Sequence, residues 1–306
     1  MEPYLYAAGT VGLSLPALLT NVAAALAIQS LKATAGQPFA ILSVSLACAD
    51  CIGLASFAGF VAPTNLWPWL ASPTLLHQLI TSAMVACWFA SEAHVLALAI
   101  NRAIAMAAPV KYKIAFTKSR TYVVAGCCWL FGLSIGGWAS QEGCGLFFFP
   151  QQQGWLYENT SCGHAVLLYA GLYCGTTLMG LIVAANAVAV CFLHKYNSQP
   201  VVGTSSANAA EQRKRKWVEV RMCFLTLGNV AGLFATNIPF TVFSQMATTT
   251  WQLFLCTTVA WIVGHATNGC LLLIIIPDAR RKLFNRKRKP ASVVAAQLDA
   301  TPQMHR

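Results

Sequence analysis

The twenty Lys and Arg residues of this 306-residue chain leave four long stretches with no basic side chain: 1–31, 33–101, 121–194 and 222–279. This spacing constrains the fold more than any motif does. A helix needs roughly 20 apolar residues to cross the hydrocarbon core of a bilayer. The first stretch has room for one crossing, and each of the others for two with a short turn, which makes seven. A pair of crossings returns the chain to the side it left, so every basic cluster falls on one face. Positive loops stay in the cytoplasm, which puts the N-terminus outside and the C-terminus inside. Composition agrees: 57% of the residues are hydrophobic and 9% are charged, against roughly 25% charged in a soluble domain. The net charge of +11 could suggest nucleic acid. Its confinement to the inner loops argues for membrane lipids as the partner instead.

The spacing predicts an all-α membrane protein, a seven-transmembrane helix bundle with spans near 7–30, 38–62, 74–108, 120–141, 164–194, 217–247 and 251–276. They are helices because lipid offers backbone groups no partner, so each segment must bond internally. The first six residues carry no positive n-region, so the first helix is expected to act as its own insertion signal. Pro277 stops the last span. Residues 278–286 then form a short amphipathic helix on the inner leaflet, with Leu283 and Phe284 dipping in, and the basic run beyond it attracts anionic lipid. The helix bundle with its short inner helix is expected to form one unit, residues 1–290, and 291–306 a disordered cytoplasmic tail.

Ten of the twelve Cys lie in or at the ends of apolar helices, where Cys acts as a small hydrophobe. Only Cys144 and Cys162 fall in an outside loop, 142–163. The oxidising side of a membrane allows a bond between them; two free thiols are the alternative. Asn159-Thr160-Ser161 is a glycosylation sequon in the same loop. Ionisable groups at membrane depth are functional candidates by default, and here they are Asp50, Glu92, His94 and His265. The seventh span has no lysine for a retinal Schiff base. No zinc-site spacing, catalytic triad or phosphate loop is present, which leaves an enzyme reading without support and no metal to place.

Several landmarks stand in one register: Asn21 in the first span, "LACAD" ending in Asp50, "NRAIAMAAPVKY" from Asn101 to Tyr112, Trp129, Pro239, and Asn268-Gly269. In this register the chain resembles the rhodopsin-like G-protein-coupled receptors. Its departures point to a subfamily. Asn101 and Ala103 flank Arg102 where the larger class has Asp and Tyr, Asn237 stands in place of the helix-six tryptophan, and the helix-five proline is missing. "HVLALAINRAIAMAAPVKYKIAFTKSRT", an outside loop of the form Cys-x-x-Phe…Trp…Cys, and "HATNG" are similar to the nematode serpentine receptor class X chemoreceptors. His77 stands where the third helix of the larger class offers a cysteine to the outside loop, which leaves Cys144 and Cys162 for each other.

The resemblance implies a plasma-membrane, multi-pass receptor that binds a small-molecule ligand from outside and activates a heterotrimeric G protein. It implies a coupling surface at Arg102, Pro109, Tyr112 and Lys216. The ligand residues would be Met84, Trp88, Phe240, Ser244 and Trp261. Met84 stands where amine receptors carry an aspartate, which favours a neutral, mostly apolar ligand. Asp50, Ser91 and Asn268 match a sodium-pocket constellation, with Na+ near Asp50 and no other cofactor implied. Because Asn101 cannot pair with Arg102 as an acid would, a loose resting lock and some ligand-independent activity are expected. The rival readings are a small-solute transporter or channel using Asp50, Glu92, His94 and His265, and a receptor-shaped partner subunit that does not signal.

Overall fold

The computed structural model describes residues 2–30, 37–71, 75–198 and 206–284. The expected tail, 291–306, lies outside them. Among the described residues, seven helices are long and apolar enough to cross a membrane: Glu2–Gln29, Gln37–Leu66, Leu75–Ala107, Lys118–Ala139, Ser161–Lys195, Trp217–Met246 and Thr250–Ile275. We refer to them as the first to seventh spans. The third is the most deeply buried and the fourth and fifth the least. The first span packs on the second and seventh, the third on the second, fourth and fifth, and the sixth on the fifth and seventh.

Small residues set the closest approach. A Cβ at Gly132 would lie 2.3 Å from the Ala86 carbonyl oxygen, and one at Gly136 would lie 2.7 Å from that of Ser82. Glycines four apart on the fourth span therefore let its backbone touch that of the third, as small-xxx-small pairs do in membranes. Large apolar side chains such as Leu130, Tyr169 and Leu181 stay exposed on the outer faces, where lipid would cover them.

Hydropathy alone does not show three interruptions. Residues Phe57–Val61, Val166–Cys174 and Phe254–Val259 are π-helical, widening the second, fifth and seventh spans toward their outer ends. The α-helix of the sixth span carries Pro239 inside it and ends at Thr241. The ring removes a backbone donor there. A short 3-10 turn, Phe243–Met246, follows where the sequence predicts more helix.

The outside loop is folded. Strands β1, Leu146–Phe149, and β2, Gly154–Tyr157, form an antiparallel hairpin in which Phe148 faces Trp155 and Leu146 faces Tyr157. Alternation sends Leu146, Phe148 and Trp155 down into the bundle's outer apolar cluster. Phe147 instead meets the ring of His77 edge-on at 4.9 Å. A disulfide joins Cys144 to Cys162 at the hairpin's base. On the inner side, helix Pro277–Phe284 follows the seventh span. Its Ala279 is fully buried, and Leu283 is half-buried against the inner apolar cluster rather than free to dip into lipid. The Phe284 side chain lies outside the described residues.

Candidate functional site

Beneath the hairpin lies a cavity of about 340 Å³, lined by the third, fifth, sixth and seventh spans and by the hairpin itself. Trp261 is its aromatic hub. The Trp261 ring stands 4.9 Å from Trp155, 5.5 Å from Phe57, 5.7 Å from Phe240 and 6.1 Å from Trp88, each steeply inclined. Edge-to-face packing of this kind fixes the rings against one another. The polar lining includes Tyr157, Thr236, Asn237, Thr241, Ser244 and His164, and among the described lining residues there is no carboxylate, lysine or arginine. Burial pushes the Tyr157 phenol up to about 12, so it stays a neutral donor.

Of the five ligand residues expected from sequence, Trp88, Phe240, Ser244 and Trp261 line this cavity, and Met84 does not. Met84 is fully buried in the outer apolar cluster with Leu54 and Phe57. Its neighbour Val85 faces the cavity instead, because one residue is about 100° of rotation on a helix. Ser244 sits on the 3-10 turn that ends the sixth span and donates to the Phe240 carbonyl. The sequence reading missed Trp155 of β2, although its position between the two loop cysteines was visible. Asn159 is exposed at the cavity mouth and its Oδ1 lies 3.1 Å from His164 Nε2.

A second, small cavity of about 20 Å³ lies deeper, lined by Asp50, Trp88, Ser91, Glu92, Asn229, His265 and Asn268 among others. Trp88 borders both cavities. Ser91 Oγ donates to Asp50 Oδ1 at 2.9 Å, and His265 Nδ1 stands 2.9 Å from the same oxygen. Asn268 borders the cavity without a partner for either amide atom. Glu92 accepts from Asn237 Nδ2 at 3.0 Å, so the residue that replaces the expected helix-six tryptophan is bonded to the floor of the outer cavity. His94 lies apart. It bonds Ser45 Oγ at 2.8 Å, and Trp129 Nε1 donates to the same hydroxyl at 3.0 Å. The four ionisable groups of the transporter reading therefore do not share one site.

The buried atoms still lacking partners around the small cavity are three acceptors, Asp50 Oδ2, Glu92 Oε2 and Asn268 Oδ1, and three nitrogens, on Asn229, Asn268 and His265. A sodium ion would satisfy only the oxygens. Water offers donors and acceptors together, so the residues present fit water better than Na+.

At the inner end, Arg102 is buried. Its Nη1 donates to Glu219 Oε2 of the sixth span at 3.4 Å, and its Cζ lies 4.7 Å from the centroid of the Phe39 ring. This corrects the expectation of a loose lock. The acid missing at position 101 is supplied 117 residues away by Glu219. Asn101 turns instead to Tyr112, donating to its hydroxyl at 3.3 Å. Pro109 opens the short helix Pro109–Ala115, exposed at its first turn. The side chain of Lys216 lies outside the described residues.

Comparison with known proteins agrees with this architecture. The family model described as serpentine type 7TM GPCR chemoreceptor Srx matches residues 13–275. The chain belongs to the Srx family of serpentine chemoreceptors. It is similar to serpentine receptor class X 45 of Caenorhabditis elegans, 25% identical over 256 residues that cover 74% of this chain and 69% of that protein. Srx proteins are seven-span receptors, and membership makes this chain a multi-pass membrane protein of the kind typical of the plasma membrane.

Proposed function

We propose that this Srx receptor binds a small, uncharged, mostly apolar molecule in the cavity beneath the hairpin and passes the event to a heterotrimeric G protein at the Arg102 end. The cavity's lining carries the reading. Aromatic walls with a few neutral polar groups are the make-up of a small-molecule site, and a charged ligand would find no full counter-charge among the described lining residues. A ligand that packs better against one arrangement of the third and sixth spans shifts the population toward it. Those two spans meet at Asn237–Glu92 below the cavity and again at Arg102–Glu219 on the inner side. Swinging the sixth span about Pro239 would separate the second pair and bare Arg102, with Pro109 and Tyr112 beside the opening. A glycan on Asn159 would attach through Nδ2 and leave the Oδ1 contact to His164 in place.

The test is G-protein activation in cells expressing the full chain, screened with volatile and small soluble chemicals. A response lost in Arg102→Ala at matched surface expression supports the reading. A response that survives Arg102→Ala unchanged removes Arg102 from the mechanism.

A further inference from the structure

The Asp50 carboxyl is 2% exposed at the centre of the bundle, and a polar group buried there needs a partner. Two sources could provide it: a dissolved monovalent cation or a side chain. We propose that the His265 ring is the resident partner of Asp50 and fills the place a dissolved cation would need, so that the chain completes its own polar centre and takes up no dissolved cation there.

Four independent observations carry this. The ring nitrogen Nδ1 lies 2.9 Å from Asp50 Oδ1, the oxygen that Ser91 also bonds. The ring has a slot built for it, since a Cβ at Gly53, three residues beyond Asp50, would lie 2.7 Å from His265 Nε2 and 3.0 Å from its Cδ2. Only glycine leaves that room. Two indoles wall the imidazole in place, Trp88 edge-to-face at 5.5 Å and Trp261 stacked at 6.5 Å between centroids. The backbone is pinned as well, because Asn21 Nδ2 of the first span donates to the His265 carbonyl at 3.0 Å.

The surrounding charges are consistent. The second span presents Asp50 to this cavity, the third Glu92 and the seventh His265, while the sixth presents the neutral Asn229. Glu92 is already held by Asn237. The remaining donors and acceptors around the cavity, including His265 Nε2, are left for ordered water.

The test needs neither ligand nor G protein. The full-length receptor is purified in detergent and its thermal unfolding followed in about 0.15 M NaCl or choline chloride. The wild-type midpoints should agree within about 1 °C. His265→Asn keeps a polar side chain but removes the ring that fills the site, and should acquire a sodium-specific rise of about 3 °C or more. Adding Asp50→Asn to it should abolish that rise. A sodium-specific rise in the wild type overturns the proposal, and so does a His265→Asn midpoint that is the same in both salts. Should His265→Asn not yield folded receptor, His265→Gln serves in its place, and the wild-type comparison decides by itself if sodium stabilises it.

Discussion

The two ends of the bundle solve different problems with different chemistry. The outer end is a roomy cavity of about 340 Å³ walled by tryptophans and roofed by a disulfide-anchored hairpin. The inner end is closed around one ion pair, Arg102 with Glu219, seated on the face of Phe39. Aromatic rings give shape and apolar area without committing to a charge, which suits the ligand cavity proposed above. An ion pair between two spans has two discrete states, made or broken, which suits a switch. The third and sixth spans run through both ends and meet at Asn237–Glu92 and Arg102–Glu219, and the proposed function uses them to turn a change of packing above into a change of pairing below.

This contrast can be broken experimentally. Outer variants should alter ligand sensitivity and leave ligand-independent signalling alone; inner variants should do the reverse. Trp261→Ala removes the hub of the outer cavity, and loss of such an anchor should shift the half-maximal dose by about 30-fold or more. Equal dose–response curves at matched surface expression would show that the cavity is not the ligand site. Glu219→Ala frees Arg102 and should raise ligand-independent G-protein activation by about 5-fold or more, the lower range of coupling between two states. A drop in basal activity would mean that the pair supports the active form. Ser244→Ala deletes one neutral hydroxyl of the outer lining, and its effect on dose should stay within about 10-fold, the worth of a single hydrogen bond. Asn101→Asp should be smallest, changing basal activity by less than about 2-fold, because Arg102 already holds an acid and residue 101 is engaged with Tyr112. A large fall in basal signalling from that variant would restore position 101 as part of the lock.

The seven spans were legible because lysines and arginines cannot lie in lipid, so their gaps count the crossings. The landmarks at Asp50, Ser91 and Arg102 were legible for a related reason: a polar residue in an apolar helix stands out. Partners were not legible. Asp50 and His265 are 215 positions apart, and Arg102 and Glu219 are 117 apart; what joins them is how each helix is rotated about its axis, and hydropathy is blind to rotation when both faces are apolar. Met84 illustrates the scale of the error, one residue and about 100° from the cavity. The hairpin escaped because "LFFF" and "GWLY" are short, and the Pro-Gln-Gln-Gln turn between them lacks the Asn-Gly or Asp-Gly signature of tight hairpins. Gln153 takes the positive φ, 57°, that a glycine would ordinarily supply.

One measurement tests the central claim most directly: ligand-evoked G-protein activation by wild type, Trp261→Ala and Arg102→Ala side by side in cells, at matched surface expression and over a full dose range of any chemical that activates the wild type. The expected result is a curve displaced to higher dose for Trp261→Ala and a flat curve for Arg102→Ala. Curves for both variants that overlay the wild type would contradict a receptor that reads its ligand beneath the hairpin and reports it through Arg102.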